Sequence, residues 1–443
     1  MNILLIGNGA REHVLAEALL RVTRPPALFA YMKSNNPGIA ALAESTRIGG
    51  YGDLRAIRDW AKATGAAFAV IGPEDPLCNG VADALQEAGI PSFGPVKSLA
   101  RLETSKSFTR NLLAKYHIPG NLRFGNFSSW AGVEAFLDEM DGVVIKPDGL
   151  TGGKGVMVQG DHFASRKEAL AICRSILSEH AGITIEEKLE GEEFSLQCLT
   201  DGKTVVATPP VQDHKRRFND DQGPNTGGMG SYSCADHLLP FLERRDVEAG
   251  LAITEQVAEA LYRETGVYYR GVMYGGFMIT RQGVRLLEYN ARFGDPEAMN
   301  ILPLLKTDFV DLCQAVMDGA LGEIKIEFAR QATVCKYVVP QGYGLPTDEQ
   351  GVPAAPEERI EIGPLSGARL YYSSVDQRAD GLHMTKSRAV GVVGIADALA
   401  EAEKIAEAAA AAIKGAVSHR SDIGTPALIE KRVRHMRELR NAI

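Results

Sequence analysis

The alternation of short apolar runs with helix-period segments over the first hundred residues does most to limit the fold. Residues 3–6 form an apolar run that ends in Gly7-Asn8-Gly9. Val14, Ala18 and Val22 then recur on one side of a helix, with Leu15 and Leu19 beside them. Further apolar runs stand at 27–32, 67–71 and 91–93, with helical segments at 53–64 and 79–89 between them. This order predicts a parallel sheet covered on both faces. Ligands of such sheets sit beyond the carboxyl ends of the strands, where the glycine turns lie.

Past residue 102 the pattern changes. A helix is predicted over 103–118, halted by Ile118-Pro119-Gly120. Strands at 142–146 and 156–159 flank a Gly-rich turn at 148–155, and a helix (165–179) and a strand (182–187) follow. That block reads as a small α+β lid. Strands at 194–199 and 204–207, a helix at 243–264, strands at 271–279 and 285–290 and a helix at 308–318 suggest a larger sheet beside it. From 334 the chain turns strand-rich with Pro and Gly, and closes with a helix at 396–415. A chain of 443 residues suits about three domains. The segments are 1–102, 103–333 with a lid at 119–190, and 334–443.

Composition excludes several function classes. A net charge of -8 lacks the basic surplus of a nucleic-acid binder, although a few local cations suffice for an anionic small molecule. The six cysteines form no C-x-x-C pair, which argues against zinc ribbons and thioredoxin-like sites and suits a reducing cytosol. No apolar run approaches a membrane span, and the N-terminus lacks the pattern of a signal peptide. A cytoplasmic protein without membrane or nucleic-acid partners is expected.

Five motifs carry chemistry. Gly7-Asn8-Gly9-Ala10-Arg11-Glu12 begins like a dinucleotide fingerprint but has Glu12 at the third glycine position. A tight turn and a phosphate site both suit it better than a dinucleotide. Lys146-Pro147-Asp148-Gly149-Leu150-Thr151-Gly152-Gly153-Lys154-Gly155 is a hairpin tip and not a Walker loop. A mobile glycine hairpin carrying lysines suits closure over nucleotide phosphates. Glu186-Glu187-Lys188-Leu189-Glu190-Gly191-Glu192-Glu193 alone reads as a solvated acidic face, with a strand end able to offer peptide groups to an adenine as the alternative. Asp213-His214-Lys215-Arg216-Arg217 precedes Gly223-Pro224-Asn225-Thr226-Gly227-Gly228-Met229-Gly230, so a basic cluster is followed by a run able to present N–H groups to an anion. Finally, Glu288, Asn290 and Arg292 project to one face of a strand. Glu and Asn are hard oxygen donors of the kind Mg²⁺ takes, and Arg292 beside them would neutralise a carboxylate or a transferring phosphoryl group.

The order of these motifs resembles the ATP-grasp superfamily and, within it, the glycinamide ribonucleotide synthetases (phosphoribosylamine–glycine ligases). Gly7 to His13, Gly72-Pro73-Glu74-Asp75-Pro76-Leu77, Phe93-Gly94-Pro95, Lys154-Gly155-Val156, 213–216, 223–230 and 292–297 carry the resemblance over nearly the whole chain. It implies an N-terminal parallel-sheet α/β domain, an ATP-grasp core with an inserted α+β lid, and a strand-rich C-terminal domain. It implies ATP with Mg²⁺ or Mn²⁺ as cofactors, and glycine and 5-phosphoribosylamine as substrates joined through a glycyl phosphate.

The resemblance also assigns roles. Lys106, Lys146, Gly153 and Lys154 would hold ATP phosphates. Glu186, Glu187 and Leu189 would meet the adenine, and Glu193 the ribose. Glu288 and Asn290 would be metal ligands. Asp213, Lys215 and Arg292 would be catalytic and handle the substrates, with Gly227 and Gly228 beside them. Gly9 and Glu74 would face the phosphoribosyl part. Ala10 and Thr151-Gly152 depart from the family pattern, and Tyr274-Gly275-Gly276-Phe277-Met278 lacks the extra acidic metal ligand common in the superfamily. Water and phosphate are therefore expected to complete the coordination, and a monomer or weak homodimer is expected. The alternatives are a related ligase with another acceptor, a noncatalytic nucleotide-binding protein, and an NAD oxidoreductase resting on the N-terminal turn alone.

Overall fold

The computed structural model describes residues 1–150, 155–345 and 358–441. The first segment forms a five-stranded parallel sheet in the order Ser45–Ile48, Ala27–Met32, Asn2–Ile6, Phe68–Ile71, Ser92–Phe93. Ile3, Leu4, Leu5 and Ile6 are all fully buried, as a central strand covered on both faces requires. Gly7 leaves this strand at φ +134° and turns the chain into the helix Ala10–Leu20. The Glu12 carboxylate accepts the Gly9 N–H at 2.6 Å, so this helix start is capped from within the chain.

The expected single helix over 103–118 is two helices, Lys97–Thr104 and Lys106–Lys115. Ser105 between them is extended, and its hydroxyl accepts the Phe108 N–H, so it acts as the N-cap that breaks the run. Lys106 thereby becomes the first residue of the second helix.

Beyond it, an antiparallel sheet runs Phe124–Phe127, Ile183–Glu187, Val143–Pro147, Met157–Val158, backed by the helices Val133–Asp138 and Arg166–Glu179. This unit has its own core around Val133, Val143, Ile145, Cys173, Ile183 and Ile185. A second antiparallel sheet orders Val205–Ala207, Gly191–Thr200, Gly271–Thr280 and Gly283–Asn290, packed against the helix Arg244–Thr265.

A third sheet joins the last segment to the middle one. Its order is Gln212–Asp213, Gly230–Ser233, Ala332–Pro340, Val390–Ala396, Arg369–Tyr372. The boundary at 333/334 thus falls inside a strand, and Gly230–Ser233 is hydrogen-bonded to that strand. The chain does not close with the helix at 396–415. That helix is Leu399–Ala411, and a further helix, Pro426–Asn441, follows it. Among the described residues, no helix is long and apolar enough to cross a membrane.

Candidate active site

A cleft of about 770 Å³ opens where the three later sheets meet the first domain. Its floor is an ion-pair cluster. Glu186 is 2% exposed; its two carboxylate oxygens take Arg110 Nε at 2.7 Å and Lys146 Nζ at 2.6 Å. Burial alone would raise this carboxyl, but Arg110 and Lys146 outweigh it and bring it down to about 2. Arg110 also donates to the Leu286 and Leu287 carbonyls at 2.9 Å each, and Lys146 Nζ donates to Leu287 O at 3.1 Å. The cluster therefore locks the 183–187 and 143–147 strands to the 283–290 strand.

This corrects the reading of the acidic run as a solvated face. Glu186 is buried, and so is Glu192, which contacts His435 Nδ1 at 2.6 Å and Arg432 at 3.3 Å. The Glu186 carboxylate is committed to cations and is not free for an adenine. The Glu187 and Lys188 N–H groups are also used, by the Arg123 and Gly142 carbonyls. Glu187, Leu189 and Glu193 do line the cleft. Lys106 stands nearby and donates to Gly149 O at 2.7 Å, its ammonium pKa lowered by burial. Gly153 and Lys154 lie outside the described residues.

The 283–290 strand carries Glu288 and Asn290 into the cleft, as alternation predicts. Gly276 is the cross-strand partner of Glu288, so the neighbouring strand adds no acid there. Lys215 lies 3.8 Å from Glu288 and 3.3 Å from Glu193. Glu193 first, then Glu288 and Asp213, hold its ammonium protonated against the cost of burial. Despite burial, Lys215, Lys146 and Lys106 keep the Glu288 carboxyl below its usual range.

Arg292 is reached from two other segments. Glu103 approaches it at 2.9 Å and Glu74, from the first domain, at 3.3 Å. Arg11 lies 3.7 Å from the same Glu74. Burial works against the Glu74 carboxylate, but Arg292 and Arg11 bring it down to about 2. Glu74, Asp213, Lys215, Gly227, Glu288, Asn290 and Arg292 thus line one cleft, whereas Gly9 and Gly228 are not among its lining residues. The Gly9 N–H is donated to Glu12.

Sequence reading missed Arg388. It donates to Asp295 Oδ2 at 2.7 Å, to the Asp295 carbonyl at 3.1 Å and to Gly228 O at 3.2 Å, bonds Gly227 O as well, and lies over the Tyr337 ring. It fastens the 223–230 run to the 292–297 segment. Arg110 and Glu103 were missed too, since each stands in a helix without a motif around it. His214 is buried with both ring nitrogens unpartnered, and burial and then Arg420 lower it to about 3. It is a neutral imidazole.

Glu288 and Asn290 fit a Mg²⁺ or Mn²⁺ site in part by themselves. One is an ionised carboxylate and the other an amide oxygen, both hard donors. Among the described residues no group of three or more His, Cys, Asp or Glu side chains could hold an ion.

Residues 1–103 match the family model for the phosphoribosylglycinamide synthetase N domain, and residues 104–298 that for its ATP-grasp (A) domain. The phosphoribosylamine–glycine ligase of Methanocaldococcus jannaschii is 48% identical over 99% of this chain and 100% of its own length. That of Methanosarcina barkeri is 46% identical, also over 99% and 100%. The crystal structure of the Thermotoga maritima ligase superposes with a TM-score of 0.79 at 26% identity, covering 96% of this chain and 100% of that one. Biotin carboxylase from Campylobacter jejuni shares the fold at a TM-score of 0.72 and 14% identity, covering 99% of this chain and 98% of its own. The chain belongs to the phosphoribosylamine–glycine ligase family of ATP-grasp proteins.

Proposed function

We propose that the chain joins glycine to 5-phosphoribosylamine, with ATP converted to ADP and phosphate, to give glycinamide ribonucleotide for purine synthesis. The observation that carries this reading is the meeting of Lys106, Lys146, Lys215, Arg292, Glu288 and Asn290 in one cleft, in a chain matching the family over its length.

A carboxylate resists nucleophiles because it is anionic and has no leaving group. Transfer of the γ-phosphoryl group to the glycine carboxylate gives a glycyl phosphate. The amine of phosphoribosylamine then attacks the acyl carbon, forming the amide C–N bond and expelling phosphate as the acyl C–O bond breaks. The amine proton is lost in the same half-reaction. The enzyme contributes position and charge more than covalent chemistry.

In this scheme Lys106 and Lys146 hold the phosphates, each with donors beyond those it already uses. The family resemblance assigns phosphate contacts to Gly153 and Lys154 as well, which lie outside the described residues. The strand end at 186–189 receives the adenine, through Leu189 and its neighbours and not through the Glu186 side chain. Glu193 takes the ribose. Arg292 orients the glycine carboxylate, and Lys215 and Asp213 serve the glycine and amine side. Glu74 and the turn at Gly9 belong to the phosphoribosyl side. A bound Mg²⁺ or Mn²⁺, held by Glu288 and Asn290, supplies charge neutralisation at the nucleotide phosphates. We place the protein in the cytoplasm as a monomer or weak homodimer.

The test is ADP release by purified protein with each substrate alone and with both. ADP formation only with glycine and phosphoribosylamine together supports the reading. ADP formation with another amino acid and not with glycine rejects it.

A further inference from the structure

Residues 188–190 link the strand Ile183–Glu187 of the first antiparallel sheet to the strand Gly191–Thr200 of the second. Leu189 in this connector and Glu193 just beyond it both line the cleft. The connector thus spans the end of the cleft to which the nucleotide is assigned.

A segment remote in sequence grips this connector from behind. Glu192, 4% exposed, meets Arg432 Nη1 at 3.3 Å and His435 Nδ1 at 2.6 Å. His435 Nε2 also lies 3.9 Å from Glu190, so one imidazole touches both the connector and the strand it leads into. Arg432 and His435 stand three residues apart on the helix Pro426–Asn441, which places them on one face. Arg432 Nη2 pairs with Asp221, and Asp221 with Arg420 at 3.0 Å. Arg420 donates in turn to the Arg216 carbonyl at 3.2 Å. The same helix therefore ties the start of the 191–200 strand to the hairpin that follows Lys215.

Glu192 and Glu193 are neighbours on a strand, so their side chains leave it in opposite directions. Holding Glu192 against the helix sets the direction of Glu193, whose side chain is half exposed and lies 3.3 Å from Lys215. The Glu193 carbonyl is fixed as well, by Gln212 Nε2 at 3.2 Å. Arg432 itself lines the cleft, so direct contact with the nucleotide is the competing role.

We propose that Arg432 and His435 are positioning residues for the nucleotide: by holding Glu192 they fix the end of the connector and aim Glu193 at a ribose hydroxyl. This rests on the ligase reading and on the ribose role given there to Glu193, and it adds the C-terminal helix to the nucleotide side of the cleft.

The test measures kcat/KM for ATP, 2′-deoxy-ATP and 3′-deoxy-ATP, with glycine and phosphoribosylamine saturating. Loss of a hydroxyl that meets a carboxylate predicts a wild-type preference for ATP over at least one deoxy nucleotide of roughly 10- to 150-fold. Glu193→Ala should bring that preference to within about threefold of unity. Arg432→Met leaves Glu192 with His435 and Asp221 with Arg420. It should lower the preference roughly 3- to 10-fold, through loss with ATP, and leave the glycine KM within about twofold. A wild type without preference, or a Glu193→Ala protein that keeps it, would overturn the proposal, because Glu193 would have no ribose to meet. An undiminished preference in Arg432→Met overturns it too. So does equal loss with all three nucleotides, which marks direct phosphate contact or a damaged fold. If Arg432→Met melts early, His435→Gln, at a part-exposed position, is the second variant. It should lower the preference in the same direction, and an unchanged preference there overturns the proposal. In each of these failures, wild-type ADP release that requires both glycine and phosphoribosylamine would still support the ligase reading.

Discussion

The floor of the cleft and its far wall treat buried carboxylates in opposite ways. On the floor, Glu186 is fully enclosed by Arg110 and Lys146, and these cations also tie down strand carbonyls of the 283–290 strand. On the wall, among the described residues, Asp213 keeps an unpartnered oxygen and Glu297 accepts a tyrosine hydroxyl. A closed network holds its shape with or without ligand. An open one leaves a buried carboxylate oxygen without a hydrogen-bond partner. The difference separates a carboxylate paired within the chain from one with an unpartnered oxygen, although both are acidic and line one cleft.

Several variants break or sharpen this contrast. The largest effect falls on the floor. Glu186→Ala strands two buried cations and should destabilise the fold by about 3–5 kcal/mol, read by denaturant unfolding. A loss below about 1 kcal/mol, the size of a surface pair, would mean that the floor is not a closed network.

Lys215→Ala comes next, because Lys215 stands between Glu193 and Glu288 and faces Asp213. Its kcat/KM for glycine or phosphoribosylamine should fall about 100-fold, or about 2.7 kcal/mol, with a smaller change for ATP. An effect confined to the ATP KM would move Lys215 to the nucleotide side.

Asp213→Asn should go the other way in stability. Replacing a carboxyl whose Oδ1 is buried without a hydrogen-bond partner should leave the fold unchanged or firmer by about 0.5–2 kcal/mol while activity falls. Destabilisation like that of Glu186→Ala would erase the contrast.

A separate effect concerns pH. His13 and His214 are held neutral, at about 4 and about 3, against an ordinary 6.5. A depressed histidine makes the unfolded chain the better proton binder below pH 6.5. Stability should therefore fall as pH drops from 6.5 towards 4, by up to ~1.4 kcal/mol per pH unit for each histidine. His214→Gln should flatten that slope, and an unchanged slope would mean that His214 does not titrate in this window.

How much of this was legible in the sequence depends on the range of the interaction. Alternation put Glu288 and Asn290 on a common face, whereas Arg292, expected on the same strand, lies past its end at Asn290; the apolar runs laid out the parallel sheet. Partners distant in sequence were not legible. Arg110 stands 76 residues from Glu186, and Arg388 stands 93 from Asp295. Neither sits in a motif, so only the fold brings them in. The helix Pro426–Asn441 was missed for a related reason. Seven of its sixteen residues are Glu, Lys or Arg, and it docks partly through Arg432, His435 and Arg440, whose ion pairs reach Asp221, Glu192, Glu243 and Asp246. An apolar-periodicity reading does not register such a face.

The central chemical claim is that ATP activates the glycine carboxylate. Turnover with glycine labelled by ¹⁸O in both carboxylate oxygens tests it directly. The account predicts one ¹⁸O atom in each phosphate released, because the carboxylate oxygen that attacks phosphorus departs with it. Released phosphate free of label would contradict a glycyl phosphate intermediate.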